Sequence, residues 1–172
     1  MISDAKISFR KVKPTDLKII RDWRNSSGTR EFNTQFTLLN MVNQKKWYES
    51  ISKNESDREM FMIVDKDRDA IGICGLINIK KEEKSAEIAI ILGDKKSRGR
   101  NLGSKSLSML LDYGFKKLKL HRIGAEILEF NKISVSLFEG LNFKYEATLR
   151  DRLWRDDKWW DVYLYSILDG EF

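Results

Sequence analysis

The chain has 172 residues, 41% of them hydrophobic and 34% charged, which is typical of one globular domain with a single core. No apolar run reaches the roughly 18 residues of a membrane-spanning helix, and the start of the chain has no apolar signal region. Cys74 is the only cysteine, so no internal disulfide or cysteine-based zinc site can form. We therefore expect a cytoplasmic protein with no membrane partner.

The net charge of +6 fits either a solubilising surface or an anionic ligand. No helix-turn-helix signal and no basic stripe interleaved with aromatic residues is present, so we expect no nucleic-acid partner. The basic residues instead cluster at positions 95–100, beside a glycine-rich turn. This favours a small phosphorylated ligand.

Hydrophobic periodicity predicts a mixed α/β fold in a single domain spanning residues 1–172, with helices on both faces of the sheet. Strands are predicted at 7–11, 60–64, 71–79, 86–92, 122–128, 145–154 and 160–168. Helices are predicted at 15–23, 41–52 and 133–141, and the clearest helix carries Leu107, Leu110 and Leu111 on one face. The nearly unbroken apolar run at 86–92 is typical of a central strand buried on both faces.

A short basic turn joins that central strand to the leucine-rich helix. The first backbone N–H groups of a helix have no intrahelical partner, and the helix dipole adds partial positive charge there. Small residues around such a helix start let an anion approach the main chain, which makes a phosphate site. The P-loop and dinucleotide-binding patterns are both absent.

The turn Arg98-Gly99-Arg100-Asn101-Leu102-Gly103 resembles the Q/R-x-x-G-x-G/A signature of the GCN5-related N-acetyltransferases. Asn101 stands where that signature normally has Gly, and Asn is a residue that tolerates left-handed backbone angles well. The segments at 112–115, 118–123 and 131–143 resemble the branch that acetylates ribosomal proteins and polyamines. The resemblance covers nearly the whole chain.

The resemblance implies a strongly bent mixed sheet of about six to seven strands with a splayed centre, flanked by about four helices. It also implies acetyl-CoA as cofactor, with no metal. Its pantetheine arm would pair with the backbone of Ile90, Ile91 and Leu92, where the central strands part. The other implied cofactor-binding residues are Arg98, Gly99, Arg100, Asn101, Leu102, Gly103, Ser104, Asn131 and Phe138.

Acetyl transfer needs a neutral amine, donors for the oxyanion and a stabilised thiolate. Glu87 is the candidate general base, although an exposed carboxylate at a strand end is an equal interpretation. Many members of the family have a Tyr at the position of Phe138 to protonate the thiolate. Ser134 is an alternative, because some ribosomal-protein acetyltransferases use a serine there. A proton from solvent is the third option.

Trp23, Arg24 and Arg30 are the predicted substrate-binding residues. The run at 22–25 resembles acetyltransferases that act on amino-sugar nucleotides, and an α-amine is less basic than a lysine side chain. The acceptor is therefore a small molecule or a protein N-terminus, and polyamines are disfavoured because 18–31 is not acidic. A non-catalytic acetyl-CoA-binding module is the alternative function, and the terminal hairpin allows a homodimer.

Overall fold

A single sheet contains all strands of the described part of the chain, which in this computed structural model comprises residues 2–3, 6–33, 36–53, 55–93 and 99–172. The strands are β1 (Ile2–Ser3), β2 (Ile7–Lys11), β3 (Glu59–Asp65), β4 (Ala70–Lys80), β5 (Ser85–Leu92), β6 (Arg122–Leu128), β7 (Lys144–Arg155) and β8 (Lys158–Leu168). The helices are α1 (Leu17–Asn25), α2 (Ser27–Arg30), α3 (Met41–Ile51), α4 (Leu102–Asp112) and α5 (Lys132–Glu139).

The strands lie in the order β1-β2-β3-β4-β5-β6-β8-β7. Neighbours pair antiparallel except β5 and β6, which are parallel. Parallel neighbours need a crossover connection, and here α4 supplies it. The one parallel pair of the described sheet is therefore also the place where the chain leaves through a turn into a helix.

Helices cover both faces of the sheet, as the sequence predicts. The larger core lies under α4 and α5 and includes Leu107, Leu110 and Leu111 of α4. The smaller core lies on the other face, where Ile20 of α1 packs with strand residues and with the partly buried Trp47 of α3. Among the described residues, no helix combines the length and apolarity needed to cross a membrane.

Three features differ from the predicted elements. Strand β1 and helix α2 were not predicted, because two and four residues are too short to show a hydrophobic period. Strand β5 is central, but its full burial on both faces was a wrong prediction. Ala86 and Ile88 are buried beneath α4, whereas Glu87 and Ala89 on the opposite face are only half-buried.

A polar network joins β6, β7 and β8 near the start of β6. The guanidinium of Arg122 donates to both carboxylate oxygens of Glu146, with one N–O distance of 2.6 Å, and to Ser166 Oγ at 2.7 Å. The hydroxyl of Ser166 donates to Glu146 at 2.7 Å. The hydrogen bonds from Arg122 are the main reason why the pKa of Glu146 falls to about 2.

Replacing Leu111 by alanine tests the core beneath α4. Leu111 is fully buried, so we expect the free energy of unfolding to fall by about 2–5 kcal/mol, measured by urea denaturation. Ile133 is 80% exposed on α5, and Ile133→Ala should change it by less than about 0.5 kcal/mol. Equal losses in the two variants would contradict the assigned core.

Glu146→Gln tests the polar network through its pH dependence. Because the folded-state pKa of Glu146 lies below its ordinary 4.5, the ionised carboxylate stabilises the fold above about pH 4.5, and this stabilisation is lost as the pH falls towards 2. The variant should have a lower free energy of unfolding than the parent chain at pH 7. This difference should narrow as the pH falls from about 4.5 towards 2. Urea denaturation at several pH values measures it, with the exposed Glu82→Gln as control. A stability difference that does not change with pH would show that Arg122 and Glu146 do not act through charge.

Candidate active site

The two parallel strands separate soon after they meet. Their pairing comprises Ser85–Arg122, Ala86–Ile123 and Glu87–Gly124. From residue 88 to 92 the ladder of β5 continues with β4, and from 125 to 128 that of β6 continues with β8. Beyond the three pairs, the main-chain donors and acceptors on the facing edges of β5 and β6 are not paired with each other. Such edges can form hydrogen bonds with an extended ligand.

The start of α4 lies at the mouth of this gap. Asn101 has the left-handed backbone angles φ 60° and ψ 18°, and its own side chain does not cap the helix. The first helical hydrogen bond runs from Lys105 N–H to Asn101 O at 3.2 Å, so the amides of Leu102, Gly103 and Ser104 precede it. These three amides form a donor set that fits a diphosphate.

The surroundings of the helix start also leave room for a ligand. Gly99 has φ +73°, and a Cβ built there would meet no atom of the described residues within 4 Å. Arg100 is exposed. A groove of about 420 Å³ continues along the outer face of α4, lined by Ser104, Lys105, Ser108 and neighbouring residues. The predicted cofactor-binding residue Arg98 lies outside the described residues.

Helix α5 closes the gap on the α4 side of the sheet. Its cap is Asn131, whose side-chain oxygen accepts from Ser134 N–H at 3.2 Å. Ser134 is half-buried in the first turn. Phe138 is only 5% exposed and packs edge-on against Phe143, with ring centroids 4.9 Å apart. The two polar residues thus lie at the N-terminal end of α5, and Phe138 belongs to the core.

Glu87 lies on the other face of the sheet, at the last residue pair before the strands part. Its Cγ would be 4.0 Å from a Cβ added to Gly124, so the glycine leaves space beside the carboxylate. Glu126 is on the same face of β6, two residues further along, and is exposed. A half-buried carboxylate at the apex of the gap is well placed to accept a proton, directly or through water.

On this second face, Trp23 of α1 covers the end of β5. A Cβ added to Gly93 would lie 2.0 Å from Trp23 Cδ2, so only a glycine lets the indole approach this closely. Burial and then the charge of nearby Arg58 lower the pKa of Arg24, the next residue. Trp23 thus lies at the end of β5, on the face of the sheet that carries Glu87, and Arg24 follows it on α1.

An aromatic cluster lies beyond the end of β6. Phe130, two residues after that strand, packs edge-on against Trp160, with ring centroids 4.7 Å apart, and at a tilt against Phe32, with centroids 6.0 Å apart. Arg155 and Arg30 both lie about 5 Å from the ring centroid of Phe36, at 4.9 and 5.0 Å. Phe130 and Arg155 were not predicted, because no local pattern marks contacts between residues so far apart in sequence.

Other reactive side chains lie away from the gap. Cys74 is fully buried, and burial raises the pKa of its thiol, so it has no access to a substrate. His121 precedes the start of β6, beside the paired part of β5 and β6 and away from the gap, and it contacts Asp169 at 3.0 Å. Among the described residues, no group of three or more His, Cys, Asp or Glu side chains is arranged to hold a metal ion.

Comparison with known proteins identifies the family. Residues 6–144 match the acetyltransferase (GNAT) domain model. The uncharacterized N-acetyltransferase p20 of Bacillus licheniformis is 31% identical over 170 residues, which is 97% of this chain and 95% of that protein. Spermidine N(1)-acetyltransferase of Vibrio cholerae is 23% identical and covers 98% of this chain and 96% of its own length.

Solved structures share the fold. The crystal structure of spermidine N-acetyltransferase from Vibrio cholerae with CoA and spermine superposes with a TM-score of 0.88 at 22% identity, over 98% of each chain. A dodecameric structure of that enzyme gives 0.82 at 23% identity, over 97% of this chain and 96% of the other. The predicted fold is thereby confirmed. The chain belongs to the GNAT acetyltransferase family, and it is an N-acetyltransferase that uses acetyl-CoA.

Proposed function

We propose that the chain moves the acetyl group directly to a primary amine in a ternary complex, the acceptor being a protein N-terminus or an amino sugar. The observation that carries this proposal is the gap between β5 and β6, with the first amides of α4 at its mouth. The amides of Leu102–Ser104 hold the diphosphate, and the edges of β5 and β6 flank the pantetheine arm. Acetyl-CoA supplies an activated acetyl group as a thioester.

The two faces of the sheet then receive the two substrates. The cofactor enters beside α4 and α5, and the amine enters from the side of Trp23. Glu87 takes the proton from the amine, and the hydroxyl of Ser134 stabilises the departing thiolate. Direct transfer fits the burial of Cys74, because no accessible cysteine is needed as a nucleophile.

Positive charge near the predicted substrate-binding residues favours an acceptor that also carries an anionic group. After burial, the charge of Arg58 contributes to the lowered pKa of Arg24, so the two guanidinium groups lie near each other. Arg30 lies on the same side of the sheet. A nucleotide-linked amino sugar or a peptide with nearby acidic residues would match this charge.

The spermidine acetyltransferases among the relatives support a polyamine as the rival acceptor. Release of free thiol from acetyl-CoA should be measured with a nucleotide-linked amino sugar, a peptide with a free N-terminus and spermidine. Thiol release with either of the first two and little with spermidine supports the proposal. Preference for spermidine would overturn the acceptor assignment, and no release with any amine would favour the binding module.

The cytoplasmic location and the homodimer remain predictions. A free, buried Cys74 is compatible with a reducing compartment. The terminal hairpin exposes Tyr145, Trp154 and Trp159, each about half accessible, which supports association of copies there.

Gly103→Glu tests the cofactor site. The substitution places a carboxylate among the amides that would bind the diphosphate. Acetyl-CoA at 100 times Kd should add about 2.7 kcal/mol to the free energy of unfolding of the parent chain and so raise its melting temperature. In the variant, acetyl-CoA should no longer raise the melting temperature. Gly103→Ala is the matched control, because its Cβ would lie 3.5 Å from Leu92 and Leu137, an ordinary contact. Circular dichroism without ligand checks the fold. Normal ligand stabilisation of a folded Glu variant would show that the site is misplaced.

Glu87→Gln tests the general base. We expect kcat to fall about 100-fold or more with unchanged affinity for acetyl-CoA, because the amide cannot accept the proton. Glu126→Gln changes an exposed carboxylate on the same face and should leave kcat within about twofold. If both variants keep the parent kcat, Glu87 does not take the proton.

A further inference from the structure

Arg155, at the end of β7, is the one buried cationic side chain among the residues that the structure describes. It is 6% exposed, and burial lowers the pKa of its guanidinium. A buried guanidinium needs hydrogen bonds that compensate for lost hydration. Its partners therefore show what the residue does.

Those partners belong to a segment far away in sequence. The guanidinium donates to the main-chain oxygen of Glu31 at 2.7 Å and to that of Asn33. Both carbonyls follow α2, whose four residues are too few to form a stable helix alone. Arg155 thus satisfies carbonyl groups just beyond a short helix and ties this segment to the terminal hairpin.

The same residue is connected to the aromatic cluster. Its main-chain oxygen accepts from the indole N–H of Trp160 at 3.1 Å, and Trp160 packs on Phe130, which packs on Phe32. Phe32 lies between the two carbonyls that the guanidinium holds. The contacts therefore form a closed ring from β7 through the α2 segment to the end of β6 and back.

We propose that Arg155 is a positioning residue for the acceptor amine. It fixes residues 27–33, which carry the predicted substrate-binding residue Arg30, and the closed set of contacts links them to the end of β6. This proposal rests on the proposed function, because it takes Arg30 to belong to the acceptor site. The guanidinium acts through main-chain carbonyls and does not itself take part in acetyl transfer.

Hydrogen exchange tests, without any substrate, whether Arg155 fixes residues 27–33. In Arg155→Met, amides of residues 26–33 should exchange about tenfold faster or more, because two charge-assisted hydrogen bonds are lost, while α4 stays unchanged. Arg155→Lys keeps the charge but loses the planar guanidinium, so its exchange rates should lie between those of Arg155→Met and the parent chain. The exposed Arg152→Met is the control. Unchanged exchange in 26–33 would overturn the proposal.

Kinetics test the functional half with the same three acceptors and acetyl-CoA. In Arg155→Met, the acceptor KM should rise about tenfold, with affinity for acetyl-CoA within about twofold of the parent. A parallel loss of acetyl-CoA affinity would indicate a merely structural role. If Arg155→Met does not fold, Phe36→Leu replaces a 40% exposed ring that lies 4.9 Å from Arg155. Phe36→Leu should also raise the acceptor KM. An unchanged KM in that variant would overturn the proposal. A parent chain that releases no thiol would instead refute the proposed function.

Discussion

The limited pairing of β5 with β6 is the constraint on which the rest of the structure depends. Three residue pairs hold the strands together, and beyond Glu87 and Gly124 their facing edges part. A parallel connection through a helix places the start of that helix at the carboxyl end of the first strand. The crossover that makes β5 and β6 parallel therefore also brings the amides of Leu102–Ser104 to the open end of the gap.

The two faces of the sheet differ in their chemistry. On the α4 and α5 side, the start of α4 presents main-chain donors beside small residues, and Asn101 can stand in a position usually held by glycine because asparagine tolerates left-handed backbone angles. On the opposite side, Trp23 lies over Gly93, and Glu87 is the last residue of β5 that pairs with β6. We propose the first side as the cofactor site and the second as the acceptor site.

The sequence predicts those features of the structure that depend on residues close together in the chain. Strand β6 has the predicted bounds, because they depend on local pattern. The turn that resembles the acetyltransferase signature is recognisable because its residues are consecutive. The contact between Arg155 and Glu31 spans 124 residues, so no local signal could reveal it. The proposed acceptor site depends on such contacts, and Glu87 and Ser134 stay predictions because spacing does not establish a proton path.

A crystal structure with coenzyme A bound is the most direct test of the central claim. The diphosphate should lie on the main-chain amides of Leu102–Ser104, and the pantetheine arm should run between β5 and β6, with its sulfur near the carboxyl ends of both strands. Coenzyme A bound elsewhere, or those amides engaged by protein groups while it is bound, would contradict the account.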